Sequence, residues 1–227
     1  MTVQTLHAEN ELMTLITLRQ AAIRFGIPLA ALRKIADAGL LPAISRHGDK
    51  PVVPSDVARR IAARSAVAPH HLMPMTPGTA RMAVLRVDVA KPVPDDDRPF
   101  IGFHADLTSA ELLEALRGWW VGNPSRIAEA GVLPVTLGGF VVAVLTGLNG
   151  WDSRVTVDGV TRHRSDARLA GYIRDLDAPA NMVGSGTPDD LRIAELLLGK
   201  RLTSTSGGPI AYVNLPAHEP HSGLSGR

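Results

Sequence analysis

From Val132 to Trp151 the chain carries no charged residue. The run is about as long as a helix needs to cross a bilayer, roughly 20 residues, so it reads either as a membrane span or as buried core elements. Its composition argues for the core. Pro134, the Gly138-Gly139 pair, Gly147, Asn149 and Gly150 interrupt any helix. The Val and Thr between them favour strands. The run therefore predicts buried strands at about Val132–Thr136 and Phe140–Leu148, joined by a glycine turn, and no membrane partner.

Helix signals surround these strands. Thr108-Ser109-Ala110-Glu111 is a capping box, a hydroxyl followed three residues on by a carboxylate, and predicts a helix to about Arg117. Asn123–Ala130 reads as a short helix. Thr187-Pro188-Asp189-Asp190 places a cap, a proline and an acidic first turn at the start of a helix to Lys200. With strands at Met82–Val89 and Ile210–Leu215, the predicted fold class is α+β.

Proline and polar clusters punctuate the chain. Residues 1–14 read as a flexible start, 15–66 as a compact first domain and 67–81 as a linker holding Pro69, Pro74, Pro77 and the His70-His71 pair. Pro92–Pro99 is a polar loop inside a mixed domain spanning 82–215, and 216–227 reads as a disordered tail. There is no cysteine, which removes disulfides, thiol nucleophiles and thiolate zinc sites. Met1–Leu15 lacks a basic start followed by an apolar run, so a cytoplasmic location is expected.

Charge is unevenly distributed. Residues 1–68 hold nine Lys/Arg against five Asp/Glu, a net +4, whereas the remainder holds fifteen against seventeen. The local pattern of this basic third is specific. Thr17-Leu18-Arg19-Gln20 is a capping box for a helix to about Phe25, with Leu18, Ala21, Ala22 and Phe25 on one face. Gly26-Ile27-Pro28 breaks it and opens a second helix, Pro28–Ala38, ended by Gly39. Leu40–Ile44 is predicted as a strand, Ser45–Lys50 as a polar turn, and Val52-Val53 as the partner strand. Ser55 is predicted to cap a third helix, Asp56–Arg64.

The run "TLRQAAIRFGIPLAALRKIADAGLLPA" followed by "KPVVPSDVARRIA" resembles the excisionase-like, MerR-related winged helix-turn-helix family over about fifty residues. The resemblance implies that the second helix enters the major groove of double-stranded DNA and that the wing meets the backbone. On matching positions it implicates Arg33 and Lys34 in the second helix, and Arg46, His47 and Lys50 in the wing. Arg19 on the first helix completes the candidate set. Leu29, Ala30 and Ala31 read no donor or acceptor pattern beyond a thymine methyl. The function expected from this resemblance is a bacterial or phage transcriptional regulator or recombination directionality factor, supported by a homodimer or a partner protein.

The C-terminal segments "LTSAELLEALRGWW", "FVVAVLTGLNGW" and "LLLGKRLTSTSGGPIAYVNL" look like a β-rich domain of bacterial and phage proteins related to the PUA-like barrels, with Asp152–Gly186 as an insertion. That resemblance implies an RNA or modified-base site at Arg117, Trp119, Trp120, Trp151 and the loop Thr203–Ser206. Other signals are weaker. Gly184-Ser185-Gly186 precedes Asp189 and Asp190, which repel phosphate. His104 with Asp106 lacks a third ligand; these two and His163 are the residues that a further alternative, an enzyme acting on nucleic acid, would use. His218 and His221 fall in the tail. No catalytic constellation, cofactor or metal site is expected.

Overall fold

The computed structural model describes residues 14–68, 79–94, 96–156, 158–204 and 208–215. The fold is mixed α+β. Its first unit begins with strand β1 (Leu15–Thr17), then α1 (Leu18–Phe25), α2 (Leu29–Asp37), β2 (Ser45–His47), β3 (Lys50–Pro54) and α3 (Ser55–Ala62). The three strands pair antiparallel in the order β1-β3-β2. The Thr17 hydroxyl accepts from the Gln20 N–H, and the Gln20 side chain accepts from the Thr17 N–H, so the predicted capping box is present. Gly26 takes φ +67 after α1, a left-handed conformation natural to glycine.

Two predictions for this unit need correction. Leu40–Ile44 is no strand. The Leu40 N–H donates to the Ile35 carbonyl and the Ile44 N–H to that of Leu41, so this segment caps α2 and turns, while Leu40 and Leu41 fill the core. The strand starts at Ser45, and the turn shrinks to Gly48-Asp49 between β2 and β3. Ser55 is the first helical residue of α3 rather than its cap. It is buried, and its N–H donates to the Thr14 carbonyl beyond β1.

The second unit is built on a six-stranded sheet, order β12-β11-β8-β7-β4-β13. Its strands are β4 (Arg81–Arg86), β7 (Val132–Leu137), β8 (Phe140–Thr146), β11 (Arg168–Tyr172), β12 (Val183–Gly184) and β13 (Ile210–Asn214). Among the described strand pairs of this sheet, only β4 and β7 run parallel. The crossover between them carries β5 (Lys91–Pro92), β6 (Phe100–Ile101), α4 (Ser109–Leu116) and α5 (Pro124–Ala128). A separate hairpin, β9 (Trp151–Val155) with β10 (Thr161–Ser165), lies between β8 and β11, and α6 (Pro188–Leu197) follows β12.

Every residue of β7 and β8 is buried, as expected for a sheet covered on both faces. Adjacent residues of β11 identify the two covers, because neighbouring side chains point to opposite faces. A Cβ on Gly171 would lie 3.0 Å from Ala194 of α6, whereas the Tyr172 hydroxyl is 3.4 Å from Ser109 at the start of α4. Gly138 and Gly139, both at positive φ, make the two-residue turn between β7 and β8 that the glycine pair predicts. Among the described residues the sheet is open, with β12 and β13 as its edges. Asp152–Gly186 is not a simple insertion, since it supplies β11, an interior strand.

One hydrophobic core runs through both units, from Ile16 to Leu215. The predicted linker is anchored at its start: Val67 is buried, its N–H donates to the Arg201 carbonyl, and the Arg201 N–H donates to Ser65. Residues 69–78, with His70-His71, lie outside the described residues, as do 1–13 and 216–227. No helix among the described residues is long and apolar enough to cross a membrane.

Candidate nucleic-acid interface

Helix α2 divides its residues by angle. Ala31, Leu32 and Ile35 are buried, and Ala30, Arg33 and Asp37 form the exposed stripe. Lys34 sits at the border. Its ammonium is 3.2 Å from Asp88 Oδ2, beyond the end of β4. Burial would raise the Asp88 carboxyl, but the Val89 N–H and the Lys34 charge outweigh it and hold the carboxyl below its ordinary value. Lys34 is therefore tied to the second unit, while Arg33 is exposed and makes no ion pair with a described residue.

The β2–β3 ribbon presents the other candidates. His47 pairs across from Lys50, and Arg46 from Pro51. Side chains alternate along a strand, so His47 and Lys50 project from one face of the ribbon and Arg46 from the other. All three are exposed, as is Arg19 on α1. None of Arg19, Arg46 and Lys50 makes an ion pair with a described residue.

A groove of about 520 Å³ separates α2 from the sheet; Pro28 and Ala31 line one side, and Arg86, Thr136, Gly138 and Ser204 the other. Gly138 approaches closest, since a Cβ there would lie 3.1 Å from the Ala31 Cα. Ala30 and Lys34 of α2 also line this groove, whereas Arg33 does not. The sequence holds no local signal for this flank, because Asp88 and Gly138 meet α2 only through the tertiary fold.

The tryptophans predicted to form a base site do not share one platform. Trp120 is buried, its indole N–H donates to the Leu116 carbonyl at 2.8 Å, and the Arg98 guanidinium lies 5.8 Å from its ring centre. The Trp151 N–H donates to Leu148 at 3.2 Å. Half-buried Trp119 donates to Asp97 at 2.9 Å, with the Arg154 guanidinium 4.3 Å and that of Arg164 5.9 Å from its ring centre. Arg117 pairs with Glu114 at 2.7 Å, and Arg164 bridges Asp97 and Glu114 at 2.8 and 2.6 Å. Arg117, Trp151 and Arg164 do line one cavity, of about 340 Å³.

This charged network has a buried anchor. Arg98 is only 4 % exposed and holds Asp96 at 2.9 Å. The Arg98 guanidinium keeps the Asp96 carboxyl far below the usual carboxylate range. Of the predicted loop Thr203–Ser206, Thr203 is exposed and Ser204 half-buried, whereas 205 and 206 lie outside the described residues. His104 Nδ1 accepts from the Asp106 N–H at 3.2 Å, and His163 Nδ1 is 2.8 Å from the Ser153 hydroxyl, a pair that sequence spacing did not reveal. No cluster of three metal-ligating side chains occurs among the described residues.

No family model, curated protein or solved structure matches the chain.

Proposed function

We propose that this chain binds double-stranded DNA through an N-terminal winged helix-turn-helix, and acts as a transcriptional regulator or recombination directionality factor of bacterial or phage type. One observation carries the reading: the β2–β3 ribbon holds Arg46, His47 and Lys50 exposed around a two-residue turn, in the same unit as an α2 whose exposed stripe holds Arg33. Cations without a carboxylate partner among the described residues are open to phosphate, the dominant source of duplex affinity. Lys34 contributes less than the sequence suggests, because Asp88 already neutralises it. The second unit then acts as a rigid mount, holding the N-terminal unit through the shared core, and supplies a second contact or a dimer surface.

The alternative, an RNA or modified-base reader working through the C-terminal unit, has less support. Each indole N–H of Trp119, Trp120 and Trp151 is bonded within the protein, and the Trp119 ring is already engaged by Arg154. A gel-shift comparison of duplex DNA with single-stranded RNA, at low and moderate salt, decides between them. Retarded duplex that is released by salt supports the first reading; retarded RNA with free duplex supports the second.

A further inference from the structure

A cavity of about 870 Å³ opens between the end of α3 and the end of α6. Its size falls within the roughly 300–1,000 Å³ typical of small-molecule sites. One wall belongs to the N-terminal unit, at Ala63 and Arg64. The other belongs to the second unit, where Pro179, Met182 and Leu198 give an apolar surface and Lys200 a charge.

The cations around it differ in how they are engaged. Arg60 is fully occupied, 2.5 Å from Asp56 and 2.7 Å from Asp177. Arg64 donates one N–H to the Asp177 main-chain carbonyl at 2.5 Å and has no carboxylate partner among the described residues. Lys200, a half-buried residue, likewise makes no ion pair with a described residue. Glu195 is also unpaired there, but it stands at the exposed rim, where water screens it. Arg64 and Lys200 are thus the two lining cations without a carboxylate partner among the described residues, and they stand beside apolar walls. Partly desolvated charge favours a counter-ion, and a guanidinium fork accepts a planar carboxylate well.

We propose that this cavity binds a small amphipathic monocarboxylate, with its charge on Lys200 and Arg64 and its apolar body on Met182 and Leu198. Because the walls come from both units, the occupant stiffens their junction. The claim stands independently of duplex binding.

Titration calorimetry of the full chain with octanoate, octylammonium and inorganic phosphate tests it. Octanoate binds, octylammonium does not, and phosphate binds more weakly than octanoate. Lys200→Gln weakens octanoate by about tenfold or more, the loss of one charged hydrogen bond. Ala180→Trp, an exposed lining position, blocks binding while leaving the melting temperature unchanged. Absence of octanoate binding, equal binding of octylammonium, tighter binding of phosphate, or an unaffected Lys200→Gln variant would overturn the proposal.

Discussion

Gly138→Ala probes the contact between α2 and the β7–β8 turn. Gly138 sits at φ +60, and a Cβ there would lie 3.1 Å from both the Cα and the carbonyl oxygen of Ala31 and 3.2 Å from its Cβ. Its neighbour Gly139 is at φ +88 with nothing within 4 Å of its Cβ position. Both substitutions pay the left-handed penalty of a side chain, about 1–2 kcal/mol. Only Gly138→Ala also compresses the helix–sheet contact, at about 1–3 kcal/mol for an overpacked site. The difference between the two variants isolates the contact between the units. In a chain of this size it lowers the melting temperature by roughly 2–4 °C per kcal/mol. Scanning calorimetry on both variants reads it directly. Equal melting temperatures would refute the packing of α2 on the β7–β8 turn.

Three further outcomes follow from the same geometry. Asp96 has a folded pKa below its unfolded value of about 3.9. Its stabilisation is therefore complete above that value and is lost as pH falls towards the folded pKa; acid denaturation monitored by circular dichroism should show a limb below about pH 4. Asp96→Asn should flatten that limb and cost about 3 kcal/mol in urea at neutral pH, because it strands the buried Arg98 charge. Thr187→Ala should cost about 1 kcal/mol by removing the hydroxyl that accepts from the Asp190 N–H at the start of α6, measured by the same urea titration.

What the sequence made legible was local. The capping boxes at Thr17, Thr108 and Thr187 each bring their own partner three residues along, and all three form. The Gly138-Gly139 turn is written in two adjacent residues that alone tolerate its φ angles. The exposure of Arg33 follows from helical periodicity, and that of Arg46, His47 and Lys50 from the polar run that holds them. The rest depends on distant partners. Leu40-Leu41 has the composition of a strand, but the Leu40 carbonyl accepts from Leu176 and its N–H finishes α2, so no ladder forms. Val67 looked like linker because its partner, Arg201, lies far along the chain. Lys34 read as free cation because Asp88 is 54 residues away. The surroundings of the aromatic cluster are equally non-local: composition displays three indoles, while Asp97, Arg154 and Arg164 determine what Trp119 touches.

The salt dependence of duplex affinity tests the central claim most directly. Arg19, Arg33, Arg46 and Lys50 are exposed without described carboxylate partners. At about 0.9 counterions released per phosphate contact, four such contacts give a log–log slope near −3.6 in fluorescence anisotropy. Arg33→Ala, Arg46→Ala and Lys50→Ala should each reduce its magnitude by about one, whereas Lys34→Ala, which removes an already neutralised charge, leaves it nearly unchanged. Affinity insensitive to salt, or a slope that moves with Lys34 and not with Arg33, would contradict the account.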